Sequence, residues 1–486
     1  MTAALIHDDT LTAPAALDAA VARSATALRR LGIGADDVVA LMMRNGPQLV
    51  ELVLAARLIG ARWCPVNWHF KTDEVRYILD DSDARLLVVD PDLWRGLAGL
   101  QPSARVVESG AAWAQLRDAT AAEPLLPVAP RGAMFYTSGT TGRPKGIRRA
   151  ASTPEQVALA QQVGALAYGI EPGMRALVSA PMYHSAPNAY SIGAAQSGEL
   201  LVLETRFDAE RTLQLIERHR LTHAYLVPTM YVRLLALPEA VRRRHDLSSM
   251  RFVASTGSPC PPAVKRAMID WWGPVINESY GSSELGYMTV LTSAQALAKP
   301  GSAGKALPGV RLAILDEQGQ ALPPGQAGLI YAHQPAYADF TYNHNDAARQ
   351  RMELDGLKTM GDIGYLDDEG FLFIVDRAAD MVISGGVNVY PAEIEAVLHG
   401  MPGVADCAVF GIPDDEFGEA LAAAVQGQPG AALDAAAVQA WLRERLAGYK
   451  VPRTVTFHDS LPREDTGKIF KRKLRDPYWA GRERRV

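Results

Sequence analysis

The chain has 486 residues, is 48% hydrophobic and carries a formal net charge of -5. That length buries a sizeable core and predicts two or three domains, and the charge balance offers no electrostatic reason for nucleic acid as a partner. Three cysteines (Cys64, Cys260 and Cys407) lie far apart without a Cys-x-x-Cys pair, which argues against a disulfide framework or zinc ribbon and for a reducing, cytoplasmic setting.

Residues 1–12 lack the basic-then-apolar layout of a secretory leader, because His7, Asp8 and Asp9 interrupt it. The longest apolar stretch, 50–66, is broken by Glu51, Arg57 and Arg62, so no membrane insertion is expected. Leu17, Val21, Leu28 and Leu31 share a helical face that Gly32 closes. Residues 38–43 read as a buried strand, 47–59 and 72–79 as helices, and 85–89 as a strand. Further on, 200–203 reads as a strand, 209–219 as a helix and 224–227 as a strand. Helices alternating with short apolar strands imply crossover units on a largely parallel sheet. Past Pro300 the pattern changes to antiparallel strands at 310–315 and 328–332 around a turn at 316–319. A compact α+β unit follows, with a helix from Pro391, strands at 407–411 and 421–425, a helix near 435–446 and a strand at 454–457. The domain boundary is expected between Arg377 and Asp380. The basic run from Lys468 through Arg475 to Arg484 and Arg485 reads as a solvated helix face or frayed tail.

The most specific stretch is Tyr136-Thr137-Ser138-Gly139-Thr140-Thr141-Gly142-Arg143-Pro144-Lys145-Gly146. Its glycines free the backbone to curl, its four hydroxyls donate short hydrogen bonds, and Lys145 adds a cation, so the loop suits a polyphosphate. It is not the common nucleotide loop, which needs a Lys-Ser or Lys-Thr pair after its last glycine. An exposed polar turn is the plainer alternative. Other clusters fall where strands should end, the usual ligand edge of an open α/β sheet. They are Pro181-Met182-Tyr183-His184-Ser185, Ser255-Thr256-Gly257-Ser258-Pro259, Asn277 to Glu284, Lys358 to Asp362, Asp376-Arg377, Ser384-Gly385-Gly386 and Thr466-Gly467-Lys468.

Taken together and in this order, these segments resemble the adenylate-forming superfamily of acyl-CoA and aryl-CoA synthetases, carrier-protein adenylation domains and beetle luciferases. The resemblance runs from about Val38 to Lys473. It implies an α/β fold with a large N-terminal domain (1–378) of mixed, largely parallel sheets with flanking helices. A β-rich part lies at about 300–376, and a small mobile α+β C-terminal domain (379–486) carries the catalytic lysine. It also implies a two-step ligase: a carboxylate attacks the α-phosphate of Mg-ATP to give an acyl-adenylate and pyrophosphate, then the thiol of coenzyme A displaces AMP. The partners so implied are a small carboxylic acid, ATP and CoA, with a homodimer as an assembly it allows. Relatives usually carry an extra segment before the first helix, and the short start here is expected to alter an oligomer contact or expose apolar surface.

By the same resemblance, Thr137, Ser138, Gly139, Thr140, Thr141, Gly142 and Lys145 hold the β- and γ-phosphates, and Glu284 is the magnesium carboxylate. Gly257, Ser258 and Pro259 approach adenine, Tyr280 stacks on it, and Glu278 accepts from its amino group. Asp362 takes the ribose hydroxyls and Arg377 contacts the ribose or phosphate. Lys468 counters charge between the carboxylate and the α-phosphate. His184 lies at the floor of the acyl site, although a histidine satisfied inside the core is the other reading. Ala186, Asn188, Thr256, Gly257, Leu285, Tyr287 and Met288 complete the acyl pocket, with Met230 and Tyr231 nearby. That set is small and apolar, without a cation for a second carboxylate, so the acid is expected to be a hydrophobic monoacid, aryl, phenylpropenoic or medium-to-long-chain acyl. Ser384, Gly385, Gly386, Phe417, Lys450 and Arg453 serve CoA. Ala379 occupies the hinge, where the family carries Asp or Lys. Two other readings remain open here: an enzyme that loads a carrier protein, and a nucleotide-binding protein with an impaired thioester step.

Overall fold

The computed structural model describes residues 2–126, 128–129, 131–137, 144–378, 380–384, 387–414, 417–463 and 469–480. The chain divides into two compact units, one of Met1–Pro300, Gly304–Arg311 and His333–Lys358, the other of Gly301–Ala303, Leu312–Ala332 and Thr359–Val486.

In the first unit, strands Ile276–Ser282, Phe252–Ser255, His223–Tyr225, Arg175–Val178, Leu200–Leu203 and Ala4–His7 lie side by side, all parallel. Their apolar character explains the arrangement: a parallel strand is covered on both faces, and all of Leu200–Leu203 is buried. Antiparallel strands flank the parallel set: Thr10–Thr12 on Ala4–His7, and Gly286–Leu291 on Ile276–Ser282. A second, four-stranded parallel sheet orders Arg62–Pro65, Val38–Met42, Ala84–Val89 and Arg105–Glu108. Crossover helices cover these sheets. Helix Ala209–His219 starts where the Asp208 carboxylate accepts from the Arg211 amide at 2.8 Å, and it turns Leu213, Leu215 and Ile216 inward.

The elements expected from sequence are present with small shifts. The strand expected at 224–227 is His223–Tyr225, because Pro228 opens helix Pro228–Leu235. The motif from Asn277 was expected to follow a strand; instead Asn277 to Ser282 lie on the strand Ile276–Ser282. A bulge between Tyr280 and Gly281 re-aims its end. There Gly281 meets the Gly286 carbonyl, and an added Cβ would stand 2.8 Å from the Tyr287 Cα. Residues 4–7 and 10–12, unassigned from sequence, form the edge strands.

In the second unit, Gly328–His333, Leu357–Leu366 and Phe371–Arg377 lie side by side. A five-stranded sheet contains Val382–Ser384, Val387–Val389, Val404–Asp414, Gly418–Gly427 and Thr454–His458. Helices Pro391–His399 and Ala435–Arg443 pack on it around Val382, Ile394, Leu398, Val409, Val425 and Leu442. The basic run is not simply a solvated face. Lys471 is ion-paired with Glu395 at 2.8 Å and Arg475 with Asp380 at 3.5 Å. Asp376 accepts from the Ala392 amide at 2.9 Å and so ties Phe371–Arg377 to the helix that follows. Among the described residues no helix is long and apolar enough to cross a membrane.

Candidate active site

The stem of the glycine-rich loop is a short antiparallel ladder. Tyr136–Thr137 pairs with Lys145–Arg149, placing Thr137 opposite Lys145, and Phe340–Tyr342 pairs with the far side of Lys145–Arg149. Tyr77 donates to the Pro144 carbonyl at 2.8 Å and Tyr136 to Asp81 at 2.6 Å, pinning both arms. Ser138, Gly139, Thr140, Thr141 and Gly142 lie outside the described residues.

Glu284 stands beside this stem. Its Oε1 accepts from the Thr137 hydroxyl at 2.8 Å and from the Tyr342 hydroxyl at 3.1 Å, and the residue is 4% exposed. Burial, reinforced by the neighbouring Glu284, pushes the Tyr342 phenol well above its ordinary pKa, so it stays a donor. Lys145 Nζ lies 5.1 Å from the centre of the Tyr342 ring. Arg149 donates to the Ser283 carbonyl at 3.0 Å, to the Glu284 carbonyl, and to the Ala338 carbonyl at 2.8 Å. The carboxylate is thus held at one oxygen from two elements far apart in sequence, while Oε2 accepts no hydrogen bond from a described residue.

The segment around Gly257 follows strand Phe252–Ser255, with Gly257 and Pro259 exposed and Thr256 buried. Gly257 has φ +97° and open space where a Cβ would be, a backbone state that disfavours other residues. Glu278 lies opposite Ser255 in the adjacent strand. Its Oε2 is 2.8 Å from Lys265 Nζ, on helix Pro262–Trp272, and the two side chains are 13% and 7% exposed. Burial raises the Glu278 carboxyl above its ordinary value, and Lys265 offsets only part of that rise. Tyr280, half-buried, is two residues along the same strand.

His184 precedes helix Ser185–Ser197. Its carbonyl accepts from the Asn188 amide at 3.1 Å, and its ring centre lies 4.3 Å from that of Tyr183. Asn188 is committed inside the protein, accepting from Trp63 Nε1 at 3.1 Å and donating to the Met182 carbonyl at 2.9 Å. Ala186 meets Tyr287 through an intermediary: Tyr287 donates to the Tyr168 hydroxyl at 2.9 Å, which donates to the Ala186 carbonyl at 3.0 Å. The Tyr168 ring makes edge contacts with Tyr287 at 4.9 Å and Tyr190 at 5.6 Å, and Tyr190 lies 5.6 Å from Tyr225. The Tyr190 and Tyr231 hydroxyls are buried without a hydrogen-bond partner among the described residues. Leu285, Met288 and Met230 are buried, and the Leu285 amide donates to Ser282 at 3.0 Å. Tyr168, Tyr190, Tyr225, Tyr342 and Lys265 were not singled out from sequence. Tyr190 alone had a signal, lying one helical turn from Ala186.

In the second unit, Asp362 and Arg377 face one another across strands Leu357–Leu366 and Phe371–Arg377, with Arg377 Nε donating to Asp362 at 3.0 Å. Asp362 is buried, whereas the Arg377 side chain is 44% exposed. Ser384 pairs with Gly418, next to Phe417. The Arg453 guanidinium lies 4.7 Å from the Phe417 ring centre and pairs with Asp414 at 2.7 Å. Ser384, Phe417 and Arg453 therefore form one neighbourhood. Lys450 instead donates to both carboxylate oxygens of Glu393, at 2.7 and 2.6 Å. Ala379, Gly385, Gly386 and Lys468 lie outside the described residues.

Comparison with known proteins identifies the family. The model of the AMP-binding enzyme family matches residues 2–339, and that of the AMP-binding enzyme C-terminal domain matches 393–468. A feruloyl-CoA synthase from Amycolatopsis sp is 35% identical, covering 97% of this chain and 95% of that protein. The long-chain-fatty-acid–CoA ligase FadD13 of Mycobacterium tuberculosis is 33% identical, with 96% and 93% covered. The crystal structure of ATP-bound MatB from Rhodopseudomonas palustris superposes with a TM-score of 0.87 at 29% identity, over 98% of this chain and 95% of that one. Matches to both parts of the family, and identity above 30% along nearly the whole length, show that this chain belongs to the AMP-binding enzymes and is an AMP-forming acid–CoA ligase.

Proposed function

We propose that the enzyme activates an aryl or phenylpropenoic acid, and that Glu284, held by Thr137 and Tyr342, marks where the phosphates of ATP are gripped. The observation that carries the catalytic part is that carboxylate, fixed at the stem of the glycine-rich loop with one oxygen that no described residue claims. Its donor chemistry fits Mg²⁺, which prefers hard oxygen ligands and is bound through one or two carboxylates together with substrate phosphates. Among the described residues no group of three or more His, Cys, Asp or Glu could hold a metal. Bound there, Mg²⁺ would neutralise charge on the phosphates.

The chain's own residues supply the rest. Thr137, Lys145 and residues 138–142 orient the β- and γ-phosphates. Gly257 to Pro259, Glu278 and Tyr280 hold the base, while Asp362 and Arg377 hold the ribose. Lys468 lowers the repulsion between the incoming carboxylate and the α-phosphate, where two anions must meet. The carboxylate oxygen then bonds to the α-phosphorus as the bond to pyrophosphate breaks. A pivot at Ala379, between domains 1–378 and 379–486, brings Ser384, Gly385, Gly386, Phe417 and Arg453 to the CoA arm, with Lys450 at its phosphates. The thiol sulfur adds to the acyl carbon and AMP leaves.

The substrate class is supported by the tyrosine cluster beside Ala186 and Tyr287. An aromatic acid would gain edge-to-face contacts against such rings that an alkyl chain does not offer. The test is pyrophosphate release with Mg-ATP and aryl, phenylpropenoic and fatty acids, each with and without CoA. Sustained, CoA-dependent turnover on an aromatic acid is expected. Faster turnover on long-chain fatty acids would overturn the substrate class, and a single CoA-insensitive turnover with every acid would overturn CoA as the acceptor.

A further inference from the structure

Strand Ile276–Ser282 and helix Pro262–Trp272 set the Glu278 carboxylate, assigned above to the base, against an ammonium that the proposed chemistry leaves unexplained. Lys265 is 5% exposed, and a lysine ammonium is seldom buried without a task or a partner. Its Nζ stands 2.8 Å from Glu278 Oε2. Glu278 Oε1 accepts no hydrogen bond from a described residue. Two other titratable groups act near the pair, Cys260 just before the same helix and Tyr231 on helix Pro228–Leu235. Burial pushes the Cys260 thiol up to about 12 and raises the Tyr231 phenol as well, so neither carries charge near neutrality. Lys265 is the one charged group acting on Glu278 among the described residues.

We propose that Lys265 is a positioning residue that keeps Glu278 an anionic acceptor with one oxygen free, and thereby sets the enzyme's preference for adenine over a 6-oxo purine. The inference rests on the reading that Glu278 meets the base. Its logic is the donor and acceptor inventory of the two partners. Adenine presents an amine, a donor, where guanine presents a carbonyl oxygen, an acceptor. An ionised carboxylate can only accept, so it attracts the first and repels the second. A protonated carboxyl can also donate, and the discrimination fades. Burial favours the protonated form, and the ammonium 2.8 Å from Oε2 offsets part of that rise. The ammonium lies against Oε2, which leaves Oε1 as the oxygen for the ligand.

The experiment compares KM and kcat for ATP, GTP and purine riboside triphosphate, which lacks the amine, in wild type, Lys265→Met and Lys265→Arg from mildly acid to mildly alkaline pH. Urea unfolding checks each fold, and Lys265→Gln replaces the methionine variant if that one does not fold. Loss of one charge-assisted hydrogen bond predicts that Lys265→Met raises KM for ATP on the order of tenfold, mainly without a change in kcat. The ATP-over-GTP ratio should shrink by a similar factor. Its KM for ATP should climb further as pH falls, because an unassisted carboxyl protonates at higher pH, and Lys265→Arg should restore both the ratio and the profile. A folded Lys265→Met that keeps the wild-type ratio and pH profile overturns the inference. If wild type treats ATP and the desamino analogue alike, Glu278 does not meet the amine, and the placement of the base falls first.

Discussion

Replacing Glu284 separates its structural role from its catalytic one. The carboxylate accepts two hydroxyl hydrogen bonds, from half-buried Thr137 and buried Tyr342. Glu284→Ala removes the acceptor for both. The Thr137 hydroxyl can turn to water, at about 1 kcal/mol, while the Tyr342 hydroxyl is stranded, at about 2 kcal/mol, for a total of roughly 3 kcal/mol. Glu284→Gln keeps an oxygen facing both donors and should cost within about 1 kcal/mol. The charge, however, is lost equally in both variants. If that charge serves the phosphates, each should reduce pyrophosphate release on the order of 10²-fold or more, the usual effect of removing a preorganised electrostatic group. Urea unfolding gives the stability arm, and pyrophosphate release at saturating ATP over a magnesium titration gives the catalytic one. Tyr342→Phe is the control, removing one donor and no charge. A folded Glu284→Gln working within about threefold of wild type, less than 1 kcal/mol in barrier, would refute the assigned role.

Three further outcomes are expected. Lys468→Ala should depress adenylation by about 10²-fold while sparing thioester formation from a preformed acyl-adenylate; equal loss of both half-reactions would remove Lys468 from the first step. Gly281→Ala drives a methyl group against the Gly286 carbonyl and the Tyr287 backbone, so urea unfolding should show a loss of about 1–3 kcal/mol, and an unchanged midpoint would refute the close approach. His223, 2% exposed, is held neutral by burial, its pKa lowered from 6.5 to about 4. A histidine depressed in this way contributes stability that is complete above its unfolded value of 6.5 and declines as pH falls toward about 4. The decline should reach up to about 3 kcal/mol, and His223→Gln should flatten that part of the stability–pH curve. An equal slope in the variant would assign the decline to carboxylates.

Much of the framework was legible because it depends on local pattern. The apolar run at Val38–Met42 and the helical spacing in Ala209–His219 identify a buried strand and an amphipathic helix without knowledge of their neighbours. The glycine-rich loop and the motif ending at Glu284 were equally visible, since backbone-curling and phosphate-compatible residues are concentrated there. What stayed hidden depends on pairing across distance. Tyr342 is 58 positions from the carboxylate it holds, and a three-stranded ladder delivers it. Lys265 looks like an ordinary helix lysine until strand Ile276–Ser282 sets Glu278 against it. Lys471 sits in a run of like charges whose solvation was the natural expectation, and only the fold reveals Glu395. Asn188 was one of the expected acyl residues, yet Trp63 and the Met182 carbonyl claim both ends of its amide.

The first strand of the chain has a practical consequence for handling the protein. Ala4–His7 covers the open side of Leu200–Leu203, and Thr10–Thr12 covers Ala4–His7 in turn. Deleting this hairpin would bare a run of four consecutive aliphatic residues with unpaired backbone amides and carbonyls, the type of edge on which strands of separate molecules stack. Shortened forms should therefore be lost to self-association before they lose their nucleotide chemistry. A solubilising partner is better fused to the other end of the chain.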